Sequence, residues 1–178
     1  MEKIADTTSR ISGIISNLKT FSHEPVANDK KWISLNGVIF DALANYQENF
    51  DTNEIKIDIR IDSEIEIFCR KKNISKVFQN LFNNSYRAIL KNDTKWIRIE
   101  VLTSNKTLKV LFTDSGKEID ESIRGNLMNP FITSKNDGQG TGLGLSLSTN
   151  IMERHNGRIY LNELSENTQF VLVFPMKQ

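Results

Sequence analysis

Gly138-Gln139-Gly140-Thr141-Gly142-Leu143-Gly144-Leu145 places four glycines at alternating positions and leads directly into helical spacing from Leu143 to His155. Glycine lets a backbone approach an anion closely and take conformations closed to other residues. A helix N-terminus adds unpaired N–H groups and the positive end of a dipole. The stretch therefore reads as a phosphate cradle. It is not the dinucleotide-binding fingerprint, because no strand runs directly into these glycines. The Gly-Lys-Ser/Thr ending of the phosphate-binding loop is also absent.

A second signal lies upstream, in Gln79-Asn80-Leu81-Phe82-Asn83-Asn84-Ser85-Tyr86-Arg87-Ala88. The spacing predicts a helix from Asn73 to Leu90 with Asn80, Asn84 and Arg87 on one face. A carboxamide oxygen is a hard neutral ligand suited to magnesium, which keeps several waters and takes phosphate oxygens. Arg87 adds a bidentate contact to phosphate. A third signal is Thr113-Asp114-Ser115-Gly116 at a strand end. An acceptor-only carboxylate there can take a hydrogen bond from an amino group.

Around these motifs the chain alternates helices and strands. Ile4, Ile11 and Leu18, with Thr7, Ile14 and Phe21, form an a/d seam in a helix over 1–22 that packs against others in a bundle. Pro25 and the polar stretch to Lys31 read as a linker. A short strand at Trp32 to Leu35 precedes a helix from Asn36 to about Phe50. Ile55, Ile57, Ile59 and Ile61 alternate with Lys56, Asp58 and Arg60, as in a half-buried antiparallel strand that Ile65 to Cys69 would pair with. Trp96 to Leu102 and Thr107 to Thr113 are strands joined by a turn at Ser104-Asn105. Residues 115–141 lack periodicity, as functional loops do. Arg158 to Leu161 and Phe170 to Phe174 close the sheet. The expected fold is α+β: a two-layer α/β sandwich with a mixed, mostly antiparallel sheet of about five strands and three helices, preceded by one long helix.

Bulk properties narrow the function. The 178 residues hold 23 Lys and Arg against 22 Asp and Glu, a net charge of +1. This offers no electrostatic case for nucleic acid or an anionic membrane. One cysteine, Cys69, excludes an internal disulfide and fits a reducing compartment. No apolar run is long enough to span a bilayer, and no signal peptide is recognisable.

In this order the motifs resemble the GHKL ATPase superfamily, specifically the catalytic ATP-binding domain of two-component histidine kinases, whose Bergerat-type fold is the sandwich above. Its asparagine box is similar to Asn80 to Ala88, its first glycine box to Asp114 to Gly116, its phenylalanine box to Pro130 to Lys135, and its second glycine box to Gly138 to Leu145. His155-Asn156-Gly157 resembles the family's His-Gly-Gly region, and Asn167 to Phe170 its final Gly-Thr-x-Phe strand. The resemblance covers roughly 32–175. It divides the chain into a second bundle helix at 1–24, a linker at 25–31 and the catalytic domain at 32–178.

The resemblance implies ATP and Mg2+ as cofactors. Asn84 would coordinate the metal, and Asn80 and Arg87 would support the phosphates. Asp114, beside Gly116, would read the adenine amine, with Thr168 helping through water. Phe131, Thr133 and Lys135 would belong to a mobile lid. Gly138, Gly140, Thr141, Gly142, Leu143 and Gly144 would wrap the triphosphate. The γ-phosphoryl would pass to a histidine and on to a response-regulator receiver domain. The domain would be cytoplasmic, homodimeric through the bundle helix in the full-length protein, without nucleic acid, and tied to a membrane only through upstream regions.

Two positions depart from the family pattern. Glu118 stands where a glycine ends the first glycine box, and Asn167 where a glycine precedes Thr168. The glutamate keeps open an alternative: a degenerate nucleotide-binding module without phosphotransfer. Neither histidine is the expected phosphoacceptor. Pro25 follows His23 too closely for continued helix. His155 is expected to be structural, near a helix C-terminus where partial positive charge is favourable. The acceptor is expected upstream of Met1.

Overall fold

The structure is a computed structural model describing residues 30–62, 64–104, 106–117, 119–132 and 141–176. The helix expected over 1–22, His23 and most of the linker lie outside the described residues. Seven strands and five helices are described: β1 Lys31–Ser34, α1 Leu35–Leu43, α2 Gln47–Thr52, β2 Lys56–Arg60, β3 Glu66–Cys69, α3 Lys71–Ile89, β4 Trp96–Thr103, β5 Thr107–Asp114, α4 Glu121–Arg124, α5 Gly144–Arg154, β6 Arg158–Leu161 and β7 Gln169–Pro175.

Alternation puts one face of each central strand inward. Ile97 and Ile99 of β4, Leu108, Val110 and Phe112 of β5, and Phe170, Leu172 and Phe174 of β7 share the buried face. Helix α3 covers that face with Ile74, Val77, Phe78, Leu81, Phe82 and Ile89, spaced three to four residues apart. Phe82 meets Phe112 edge-on, with ring centroids 5.2 Å apart. Each such buried side chain contributes about 1.5–3 kcal/mol. This stripe fixes the rotation of α3, and so turns Asn80, Asn84 and Arg87 along its flank toward α5. The outer sheet face carries charge instead: Asp58 Oδ2 lies 2.9 Å from Arg98 Nε and 2.8 Å from Arg60 Nη2.

The five-stranded sheet has the order β2-β4-β5-β7-β6, and the α+β two-layer sandwich is as expected. Three local expectations are corrected. Strand β2 is half-buried with its isoleucines inward, but it pairs with β4 in parallel, Ile57 opposite Ile97. A parallel pair needs a long crossover, and β3 with α3 supplies it. Strand β3 pairs with β1 rather than β2, setting Phe68 directly opposite Trp32 with rings 5.5 Å apart. The helix expected from Asn36 to Phe50 breaks after Leu43, where the Tyr46 amide turns back to the Leu43 carbonyl at 2.8 Å. The break lets Phe50 enter the core, 5.9 Å from Phe82.

His155 caps the end of α5 and is buried there. Its Nε2 accepts the Arg70 amide at 3.1 Å, and its Nδ1 faces the Ile151 carbonyl at 2.7 Å. A ring that accepts at Nε2 carries its proton on Nδ1 and is neutral. The Nδ1–H meets a carbonyl in the last turn of α5, and the Nε2 bond adds a bridge from α5 to the start of α3.

Candidate functional site

A cleft of about 910 Å3 opens between α3, the ends of β5 and β7, and the start of α5. Asn80, Asn84 and Arg87 line it from α3. Asp114 and Gly116 line it from the end of β5, Thr168 from the approach to β7, and Thr141, Gly142 and Gly144 from the glycine loop. Residues up to 88 positions apart in sequence thus meet in one cavity, as the asparagine, first glycine and second glycine motifs require. Leu143 does not line the cleft. It is buried, and its carbonyl accepts the Leu147 amide at 3.0 Å to open α5. Phe131 is 68% exposed, and its amide donates to the Gly142 carbonyl at 3.0 Å. Thr133, Lys135, Gly138, Gly140 and Glu118 lie outside the described residues.

Asp114 is held on both oxygens. The Gly116 amide donates to Oδ1 at 2.8 Å, and the buried Ser85 hydroxyl donates to Oδ2. Burial pushes the Asp114 carboxyl above the usual carboxylate range, while these two hydrogen bonds pull it back down. Gly116 keeps the space beside the carboxylate open. A Cβ there would stand 2.8 Å from Asp114 Oδ1 and 3.2 Å from Thr168 Oγ1. The Thr168 amide donates to the Gly116 carbonyl at 2.6 Å, joining the approach to β7 to the end of β5.

At the other end, Asn80 Nδ2 donates to the Gly144 carbonyl at 2.9 Å and to Ser148 Oγ at 3.1 Å, tying α3 to α5. No side chain caps the first turn of α5, so that end of the helix meets the cleft with its amides available to an anion. The Asn84 carboxamide makes no hydrogen bond among the described residues. No group of three or more His, Cys, Asp or Glu among the described residues could hold a metal. A divalent ion here would therefore need phosphate oxygens and water beside the carboxamide. Ile119, Ile123, Leu127 and Phe170 give the cleft an apolar wall suited to a flat ring.

Some residues that shape the site escape a motif-based reading. Ser85 sits inside the quoted asparagine stretch but on the buried face of the helix, and it touches the cleft only through Asp114. Lys91 lies four residues beyond Arg87 and lines the cleft with Asn92, so extending the same helical face by one turn reaches it. Phe170 becomes visible only through strand register.

The fold and cleft define the class: an α/β ATPase domain whose nucleotide-sized cavity lies between an asparagine-bearing helix and a glycine-loop helix. The chain belongs to the histidine kinase-, DNA gyrase B-, and HSP90-like ATPase family, whose model matches residues 69–178. Within that family it is a histidine-kinase catalytic ATP-binding domain. Sporulation kinase A of Bacillus subtilis is 30% identical over 172 residues, 95% of this chain and 28% of that protein. The sensor histidine kinase ZraS of Escherichia coli K12 is 27% identical over 99% of this chain and 37% of its own length. The chain thus spans about a third of the curated relatives it matches. The catalytic domain of histidine kinase ThkA, in a nucleotide-free form, matches with TM-score 0.72 and 25% identity over 83% of this chain and 95% of that domain. ThkA in complex with the response regulator TrrA shares the fold with TM-score 0.78, 24% identity, and coverage of 98% of this chain and 49% of that one. No helix among the described residues is long and apolar enough to cross a membrane.

Proposed function

We propose that this domain binds ATP with magnesium and passes the γ-phosphoryl group to a histidine elsewhere in its full-length protein, for relay to a response-regulator aspartate. The observation that carries this is the convergence of Asn84, Asp114 and the N-terminus of α5 on one cleft. Asn84 holds the metal through its carboxamide oxygen, and Asn80 and Arg87 support the phosphates. Asp114 accepts from the adenine amine, with Thr168 beside it through water. The segment from Gly138 to Gly144 wraps the triphosphate, and Phe131, Thr133 and Lys135 belong to the lid. The metal, when bound, neutralises phosphate charge, and the protein's part is positioning and electrostatic stabilisation.

His155 cannot be the acceptor, since it is buried with both ring nitrogens engaged. Pro25 stands two residues after His23, which argues against continued helix there. The acceptor is proposed to lie elsewhere in the full-length protein. The full-length protein is proposed to dimerise through a bundle that includes residues 1–24, to dock a receiver domain, and to present this domain in the cytoplasm, with any membrane attachment elsewhere. Glu118 supports a second reading, a nucleotide-binding module without phosphotransfer.

The test is a calorimetric titration with a non-hydrolysable ATP analogue, with and without magnesium. Magnesium-dependent binding that drops at least about tenfold in Asn84→Ala, with unchanged melting, supports the assignment. Unchanged affinity in that variant removes the metal role from Asn84. Phosphotransfer from ATP within the full-length protein then separates the kinase from the module.

A further inference from the structure

We infer that Ser85 is a positioning residue for base recognition, acting through Asp114. The inference rests on the reading of Asp114 as the group that takes the adenine amine. Ser85 and Asp114 are each 2% exposed. Ser85 does not line the cleft, whereas Asp114 does, so the serine reaches a bound base only through the carboxylate.

The two hydrogen bonds on Asp114 come from different elements. Oδ1 takes the Gly116 amide, two residues along the same turn, and Oδ2 takes the Ser85 hydroxyl from α3. Among the described residues neither oxygen has another partner. The Gly116 bond alone leaves the carboxylate free to pivot about its Cβ–Cγ bond. The Ser85 bond removes that freedom and anchors the plane of the carboxylate to α3, the helix that also carries Asn84. A serine hydroxyl has one proton, and here it is committed to Asp114. The carboxylate lone pairs that remain are the ones directed at the cleft. A fixed, acceptor-only group of this kind favours a ligand edge bearing an amine and penalises one that lacks it.

Base discrimination tests this better than stability. The probes are a non-hydrolysable ATP analogue and the matching triphosphate of purine riboside, which lacks the 6-amino group. Both are titrated calorimetrically against the unsubstituted chain, Ser85→Ala, Ser85→Thr, Asp114→Asn and the Ser85→Ala/Asp114→Asn double variant. Ser85→Ala is expected to weaken the adenine nucleotide about tenfold while changing the amine-free one by less than about twofold. Ser85→Thr keeps the hydroxyl and restores the preference. The double variant binds no more weakly than Asp114→Asn alone, because the serine acts through the aspartate. Equal losses for both nucleotides in Ser85→Ala, or additive losses in the double variant, overturn the inference and leave Ser85 a packing residue. If Asp114→Asn itself leaves the adenine preference intact, the reading of Asp114 falls and the inference falls with it.

Discussion

The Asn80 side-chain amide donates to the Gly144 carbonyl at 2.9 Å, so the asparagine-bearing helix grips the glycine loop at the residue where α5 begins. The fully buried Ser148 joins them: its hydroxyl gives its proton to the same carbonyl at 2.9 Å and accepts from Asn80 at 3.1 Å. Asn80→Ala removes two of these three bonds. A loss of about 1–3 kcal/mol of stability is expected from two such hydrogen bonds, together with weaker nucleotide binding as the loop loses its anchor. Denaturant unfolding and an ATP-analogue titration read the two effects separately. Full retention of both would show that Asn80 merely fills space.

Gly142 and Gly144 lie two residues apart and differ in what they tolerate. Gly142 has φ of +65°, and a Cβ there would stand 2.5 Å from the Phe131 carbonyl carbon. Its carbonyl accepts the Phe131 amide at 3.0 Å, and Phe131 itself has φ of +67°. The obstructing atoms are backbone and cannot swing away. At Gly144 a Cβ would meet the Asn80 side chain at 3.7 Å, an ordinary contact. Gly142→Ala is therefore expected to cost about 2 kcal/mol or more, and Gly144→Ala less than about 1 kcal/mol, since alanine suits a helix start better than glycine. Thermal melts of the two variants side by side decide this. Equal shifts would contradict the clasp at Phe131.

Much of this site was legible in the sequence because its key residues sit at fixed offsets within single elements. Asn80, Asn84 and Arg87 follow helical spacing, and Asp114 ends a strand whose alternation is clear. What failed concerns mostly partners, although the single helix expected from Asn36 to Phe50 is also two, Leu35–Leu43 and Gln47–Thr52. The isoleucines from Ile55 to Ile61 reveal which face is buried, but a period of two says nothing about the neighbouring strand or its direction. β2 therefore came out parallel to β4, and β3 joined β1. The Ser85–Asp114 hydrogen bond links residues 29 positions apart, on elements whose relative rotation is set by packing of Phe82 on Phe112. The neutral ring of His155 likewise depends on the Arg70 amide, 85 residues away.

That distant contact makes His155 a clamp between α5 and α3. His155→Ala would strand the buried Ile151 carbonyl and the Arg70 amide and leave a void at the end of α5. A loss of about 2–4 kcal/mol is expected from the stranded groups, with nucleotide affinity per folded molecule nearly unchanged because neither group lines the cleft. Unfolding followed by circular dichroism, paired with titration at a temperature where the variant is folded, provides the check. A large fall in affinity without loss of stability would instead give His155 a part in the site.

Acid should weaken nucleotide binding sooner than an ordinary aspartate would predict. Burial holds the Asp114 carboxyl above its usual value of 3.8. For folding, this means that the stability the group contributes is fully present below the unfolded value and is lost as pH rises through the folded one. For binding the sign reverses. Only the ionised carboxylate is an acceptor on both oxygens, and protonation adds an O–H donor that faces the donor amine of the base. Affinity for an adenine nucleotide is therefore expected to fall as pH drops through the raised folded value, while the empty domain gains from the same protonation. The amine-free purine nucleotide should show a flatter profile over the same range, which separates Asp114 from titration of the phosphates common to both ligands. In Asp114→Asn the two profiles should coincide. Persistence of the difference in that variant would assign the pH dependence to another group.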